Sequence, residues 1–94
     1  MTKLNFNLSK CVNDRVCDDL KFAEFVLNSI KRHFRNDFSE CCADDEKFNK
    51  ESLINGSRIF NVFYHNRDKG EKIWIITEAE PYRNITTVIF PEEY

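Results

Sequence analysis

The chain has 94 residues, and its 14 Lys and Arg stand against 16 Asp and Glu, which gives a formal net charge of −2. This length predicts one domain over residues 1–94. The charge balance lacks the basic excess typical of nucleic-acid-binding proteins. A hydrophobic fraction of 41%, with nine Phe, is sufficient for a packed core. Two Gly and two Pro argue against a barrel with many turns.

The N-terminal segment 1–8 alternates polar and apolar residues and lacks the apolar core of a secretory signal. The longest apolar runs are far shorter than the ~20 residues of a membrane span. We therefore expect a soluble, cytoplasmic protein. The four cysteines, Cys11, Cys17, Cys41 and Cys42, contain no C-x-x-C spacing. They are predicted to be reduced thiols, and we expect no metal or other cofactor.

Three segments are predicted to be helical within about residues 9–54. Segment 8–17 reads as a short helix capped by Ser9. Segment 20–35 carries the strongest helical periodicity, and Ala23 and Leu27 widen its apolar stripe. A third helix is predicted from Asp45 to about Ile54, capped by Asp44 and ended by Gly56. The stripe of the long helix, expected to pack on a sheet, consists of Phe22, Phe25, Val26, Ile30, His33 and Phe34.

The period then changes to two, which predicts a β-meander over about residues 57–90. The expected strands are 58–64, 72–77 and 85–90, separated by short polar loops and stopped by Pro91. The second strand is apolar on both faces and is predicted to be central, with Trp74 in the core. The fold class is thus α+β, a two-layer domain with N-terminal helices packed on a C-terminal three-stranded antiparallel sheet. An additional edge strand over 2–7 is compatible with this arrangement.

Candidate catalytic residues are few. His33 lies on the apolar stripe, where a packed role is commoner than catalysis, and His65 could act as a base with Asp68 at a hairpin. A Cys–His pair depends on proximity that sequence does not show. Two glycines, Gly56 and Gly70, cannot form a phosphate-binding loop. An enzyme is therefore the less favoured class, and a small hydrolase is kept only as a third hypothesis.

The charge pattern is more informative than the net charge. Residues 37–51 hold six acids and two lysines, and the C-terminus adds more carboxylates. One hypothesis is an acidic surface that docks on a basic protein; the ordinary alternative is a solvated loop and helix start. Tyr82, beside Pro81, is a candidate interface anchor. The predicted partner-binding residues are Asp37, Glu40, Asp44, Asp45, Glu46, Tyr82, Glu92 and Glu93. A basic cluster of Lys31, Arg32 and Arg35 is the alternative, nucleic-acid-binding site.

Several segments of the sequence resemble a family of short proteins carried by plasmids, conjugative elements and phages of Gram-positive bacteria. The matching segments are 72–79 (KIWIITEA), 86–94 (TTVIFPEEY), 11–16 (CVNDRV), 21–26 (KFAEFV) and 56–60 (GSRIF). The turn 80–84 is longer than the family's usual turn. The resemblance implies an accessory protein of a mobile element. Small proteins of that origin often counter host defence, so the resemblance leads to an anti-CRISPR hypothesis.

Under this hypothesis the protein binds a Cas effector, with Cas9 favoured, or its guide-RNA complex, and blocks the engagement of guide RNA or DNA without catalysis. The alternative is a nucleic-acid-binding regulator or antitoxin-like protein of a plasmid or phage, acting through the basic cluster. Pull-down with an effector tests the first hypothesis, and salt-sensitive retardation of DNA or RNA tests the second.

Overall fold

The computed structural model describes residues 5–94, apart from the side chain of Asn5. These residues form an α+β fold, as the sequence predicts. In chain order the elements are β1 (Asn5–Leu8), α1 (Lys10–Asp18), α2 (Leu20–Phe34), α3 (Ala43–Asn55), β2 (Ile59–Asn66), β3 (Glu71–Thr77), β4 (Ile85–Ile89) and a short 3₁₀ turn (Pro91–Glu93).

The sheet has four strands in the order β1-β4-β3-β2. The antiparallel pairs β2–β3 and β3–β4 are the predicted meander. β1 adds a parallel pairing with β4, in a register that runs from Asn5 opposite Ile85 to Leu8 opposite Val88. The prediction of a three-stranded, fully antiparallel sheet was therefore wrong by one strand. An edge strand over 2–7 was only noted as compatible with the predicted fold, and β1 includes residues 5–7 of that segment; residues 1–4 lie outside the described residues.

Most element boundaries differ from the prediction by one or two residues. Leu8 ends β1 instead of opening α1, and Ser9 is the cap, its hydroxyl accepting the Val12 N–H at 3.3 Å. α3 begins at Ala43, so Asp44 lies in its first turn and is not its cap. Gly56 ends this helix with φ of 79°, as predicted. β2 starts and ends later along the chain than predicted. β3 starts one residue earlier than predicted, and β4 ends one residue earlier.

The core lies between α1 and α2 on one side and one face of the sheet on the other. Its buried members are Val12, Phe22, Val26 and Ile30 from the helices and Phe63, Ile73, Ile75 and Val88 from the strands. Phe25 packs against this cluster while partly buried. Two predicted stripe residues lie outside the core, because Leu27 is 52% exposed and Phe34 is 39% exposed. Both lie on the same flank of α2, turned away from its buried residues.

The alternation along β3 sends Ile73 and Ile75 toward the helices and Trp74 to the opposite face. Trp74 is only half-buried there, so its predicted core position was wrong. β3 is interior to the sheet, with β2 and β4 on either side, as its two apolar faces predicted.

Candidate functional site

The third helix buries only polar residues against the rest of the protein, although the partly exposed Leu53 lines a cavity beside Phe34 and Ile59. Its two buried residues are Asn49 and Ser52. The Asn49 amide pairs with the outer edge of β2: its Oδ1 accepts the Phe60 N–H at 3.0 Å, and its Nδ2 donates to the Phe60 carbonyl at 2.9 Å. One side chain thus replaces the hydrogen bonds of a missing neighbouring strand. This pairing protects the β2 edge from other strands.

The opposite side of α3 faces solvent and mixes acidic and apolar side chains. We call this the α3 outer surface and define it as Asp44, Lys47, Phe48, Glu51 and Ile54, all of which are exposed. Their spacing of three and four residues places them on one face of the helix. Ile54 is 90% exposed. The helix therefore buries polar residues and carries Phe48 and Ile54 outward, whereas α2 buries mainly apolar residues.

The acids at the start of α3 do not form a single patch. Consecutive helical residues point about 100° apart, so Asp44, Asp45 and Glu46 face three directions. Asp45 lines a cavity beside Lys72 and Trp74. Glu46 lies 3.4 Å from the Lys50 ammonium. Only Asp44 of these three belongs to the outer surface, where Glu51 joins it.

The acidic loop before α3 is tied to the predicted basic cluster. Arg32 donates from Nε to Asp37 at 2.8 Å and from Nη1 to Glu40 at 2.6 Å. The other oxygen of Glu40 accepts the Tyr64 N–H at 3.0 Å. Hydrogen bonds from Ser39, followed by those from Arg32, lower the pKa of Asp37 to about 2. These charges hold the loop against α2 and β2. We therefore leave Arg32, Asp37 and Glu40 out of any docking surface.

The predicted C-terminal carboxylates have separate environments. Glu93 accepts the Ser9 hydroxyl at 2.6 Å, the Phe90 N–H at 3.1 Å and the Cys11 N–H at 3.3 Å. Burial raises its pKa, but these hydrogen bonds outweigh that effect and lower it. Glu93 therefore fastens the C-terminus to the start of α1, whereas Glu92 is exposed. Tyr82 is 61% exposed on its turn, as predicted.

The candidate catalytic groups are engaged in packing. His33 is buried; its Nε2 lies 2.7 Å from the Thr77 hydroxyl and its Nδ1 is 3.2 Å from the Asn61 amide nitrogen. Burial lowers the pKa of His33 to about 4. The Cys41 thiol donates to Asn61 Oδ1 at 3.2 Å, and burial is the main cause that raises its pKa. Asn61 separates Cys41 from His33, so this trio is not a nucleophile–base pair.

The second histidine packs among aromatic side chains. The His65 ring lies 5.5 Å from the Phe22 ring and 5.0 Å from the Phe25 ring, measured between centroids. The predicted pairing with Asp68 is not among the contacts of the described residues. All four cysteines are free thiols. Within residues 5–94, no group of three His, Cys, Asp or Glu side chains is arranged to hold a metal ion.

Sequence periodicity did not reveal the reversed orientation of α3, although a signal was present. The large apolar residues of this helix do not share one face. Leu53 follows Phe48 by five positions and Ile54 by one more, and this spacing cannot place all three side chains on one buried face. Asn49 and Ser52 are three apart and do share a face. The polar pair therefore marks the packed side of this helix.

Comparisons with known proteins do not assign the chain to a family. No family model matches it, and neither a curated protein nor a solved structure does so. Across residues 5–94, every helix is too short or too polar to cross a bilayer. Function therefore has to be argued from the surfaces themselves.

Proposed function

We propose that this protein is a non-catalytic binding protein that docks on a partner protein through the α3 outer surface. The observation that carries the proposal is the reversed burial of α3, which packs through Asn49 and Ser52 and leaves Phe48 and Ile54 exposed. Solvating large apolar side chains is unfavourable, and exposed apolar surface on one face of a helix is a candidate interaction site. An apolar pair flanked by charged residues also has the composition of an interface centre with a polar rim.

The charges on this surface favour a basic partner. Asp44 and Glu51 flank the two apolar side chains, and Lys47 is the single cation of the defined set. Asp44 lies in the first turn of the helix, where the N-terminal dipole favours carboxylates, and it faces solvent. Carboxylates at the edge of an interface raise the association rate with a positive partner.

The partner we propose is a Cas effector, with Cas9 favoured. Cas effectors hold guide and target in positively charged channels, which a small acidic protein can occupy or obstruct. The mobile-element resemblance of segments 72–79 and 86–94 supplies the biological context for this choice. Under the proposal, docking blocks engagement of guide RNA or DNA, and the engaged state of His33 and Cys41 favours a mechanism without catalysis.

The alternative function, a nucleic-acid-binding regulator acting through Lys31, Arg32 and Arg35, has less support at that cluster. Arg32 is already bound by two carboxylates, which leaves Lys31 and Arg35 as exposed cations. The cluster therefore offers two cations, and not three, to the phosphates whose neutralisation drives nucleic-acid binding.

The test is inhibition of guided DNA cleavage by Cas9, using wild-type protein and a double variant, Phe48→Ser with Ile54→Ser. We expect inhibition by the wild type and at least about ten-fold weaker inhibition by the variant, since one large apolar contact at an interface centre is worth about 1–2 kcal/mol or more. The matched control is Leu20→Ser with Leu27→Ser, which removes two exposed apolar side chains from α2.

Three outcomes bear on the proposal. Inhibition that is lost with the α3 pair and retained by the α2 pair supports it. Failure of the wild type to inhibit cleavage at large excess rejects the Cas9 function. Equal inhibition by wild type and both variants rejects the α3 outer surface as the docking site.

A further inference from the structure

The second face of the sheet carries a cluster of aromatic side chains. α1 and α2 pack on the other face, and α3 lies along the β2 edge, where Asn49 meets the Phe60 backbone. Period-two alternation places Phe60 and Tyr64 of β2 and Trp74 of β3 on this second face. We call it the open face. Among residues 5–94, no helix of α1–α3 packs across it.

Three rings of the open face form a contiguous cluster. The centroids of Phe60 and Trp74 are 4.7 Å apart, those of Trp74 and Tyr94 are 5.6 Å apart, and those of Phe60 and Tyr94 are 5.9 Å apart. All three pairs meet edge to face, so each ring supports its neighbours' orientation. Tyr94 is 66% exposed, and Phe60 and Trp74 are half-buried. The cluster is therefore held in place and is still reachable from solvent.

Cations lie against two tyrosine rings on this side of the sheet, Tyr64 and Tyr94. The Arg67 guanidinium lies 4.3 Å from the centroid of Tyr64, and the Lys72 ammonium lies 5.5 Å from the same ring. The Arg58 guanidinium is 5.5 Å from the Tyr94 centroid and donates from Nη1 to the Tyr94 hydroxyl at 2.7 Å. Each of these two tyrosine rings thus has at least one cation beside it.

Carboxylates near this face leave part of the positive charge available. A carboxylate oxygen of Glu78 lies 3.6 Å from Arg58 Nε. A carboxylate oxygen of Glu40 lies 3.8 Å from Arg67 Nη2, and Glu40 is also paired with Arg32. Asp45 lines the same cavity as Lys72. The ammonium of Lys72 has no ion-pair partner among the described residues.

From this arrangement we infer that the open face binds single-stranded nucleic acid. Bases stack on exposed aromatic side chains, and phosphates bind Arg and Lys beside them; this combination recognises single strands with little sequence preference. In this protein Tyr64, Trp74 and Tyr94 offer the rings, and Arg58, Arg67 and Lys72 offer the cations. A duplex conceals its base faces and is not a ligand of such a surface. The site uses no residue of the α3 outer surface and does not depend on the function proposed for that surface.

The sole tryptophan of the sequence, Trp74, is a built-in probe of this site. We would titrate fluorescein-labelled 12-nucleotide oligouridine and oligodeoxythymidine at low salt and follow both label anisotropy and Trp74 emission. We expect saturable binding, quenching of Trp74, and a steep loss of affinity with salt, since bound phosphates release counterions. The RNA and DNA arms decide whether the 2′-hydroxyl contributes. A self-complementary duplex should bind at least about ten-fold more weakly, because its bases cannot stack on the face.

Two variants locate the ligand. Tyr94→Ala alters an exposed terminal ring, and we expect about a ten-fold loss of affinity from lost stacking. Arg67→Ala with Lys72→Ala should weaken binding and reduce the salt slope by about 1–2. The matched control, Lys31→Ala with Arg35→Ala, removes the same charge from exposed positions of α2 and its C-terminus and should bind like the wild type. Circular dichroism on each variant confirms that the helices and sheet remain.

The inference is overturned if neither oligonucleotide binds at low salt. It is also overturned if binding occurs without a change in Trp74 emission, or if the α2 control loses as much affinity as the open-face pair. A third outcome also contradicts the inference. If neither oligonucleotide binds and only Cas9 protects the open face from chemical labelling, the open face is a protein interface.

Discussion

The second and third helices are held in the fold by different kinds of interaction. α2 buries apolar side chains of regular spacing, among them Phe22, Val26 and Ile30, against the sheet. α3 buries Asn49 and Ser52 and carries Ile54 outward. A helix of the first kind is fixed by the hydrophobic effect, whereas one of the second kind is fixed by directed hydrogen bonds to an edge strand. The comparison indicates that α2 contributes core packing, whereas α3 leaves Ile54 exposed, as the proposed docking surface requires.

The largest expected effect concerns the core face of α2. Phe22→Ala removes a fully buried ring that contacts Phe25 and Phe90, and we expect a loss of about 3–5 kcal/mol in the free energy of unfolding from lost burial and a cavity. Ile54→Ala on α3 should change it by less than about 0.5 kcal/mol. Urea denaturation of the two variants makes the comparison. Similar losses in both would refute the contrast between the two helices.

The next effect is the pH dependence of the free energy of unfolding that arises from His33, a buried residue of α2. Because burial lowers the pKa of His33 to about 4 from 6.5, the unfolded chain binds a proton that the folded protein does not between these values. The contribution of neutral His33 to the free energy of unfolding is therefore fully present above about pH 6.5. As the pH falls toward 4, titration of this residue alone lowers the free energy of unfolding by about 3 kcal/mol. Denaturation at a series of pH values measures it.

The control for this effect is a pair of Gln variants. His33→Gln should flatten the change between pH 6.5 and 4, whatever its effect on stability at neutral pH. His65→Gln should leave the change in place. An unchanged pH dependence in His33→Gln would contradict the assignment of this titration to the buried histidine.

A smaller effect tests how α3 is attached. Asn49→Ala leaves the Phe60 N–H and carbonyl without their side-chain partner, which should cost about 1–3 kcal/mol. Asn28→Ala, the same change at an exposed position of α2, should be neutral or slightly stabilising because Ala favours helices. Backbone hydrogen exchange at Phe60 should accelerate in Asn49→Ala alone. Unaltered exchange there would show that the amide pair does not hold the helix.

Sequence reasoning identified the parts of the fold that depend on local pattern. The α2 periodicity, the Ser9 cap, the Gly56 stop and the three strands of the meander are all encoded within short windows. The parallel pairing of β1 with β4 joins residues about 80 positions apart, and no local pattern specifies it. The start of α3 was misplaced because Cys42 serves as its cap without a side-chain hydrogen bond.

The candidate site was harder to predict because charge counting ignores direction and pairing. Arg32 reaches Asp37 and Glu40, five and eight residues ahead, across the end of its helix, which removes members of both predicted sites. Glu93 is committed to Ser9, 84 residues away. The open face was missed because Trp74 was assigned to the core, although the alternation of β3 had already separated it from Ile73 and Ile75.

The most direct test of the central claim is a comparison of two charge reversals in Cas9 binding. Asp44→Lys with Glu51→Lys alters the α3 outer surface, and Asp18→Lys with Glu24→Lys makes the same change in net charge at exposed positions of α1 and α2. Association and dissociation rates would be measured by biolayer interferometry at two salt concentrations. We predict that the α3 pair slows association at least about ten-fold at low salt, with a smaller difference at high salt, while the control pair stays near the wild type. Equal slowing by both pairs, or no slowing by the α3 pair, would contradict docking through α3.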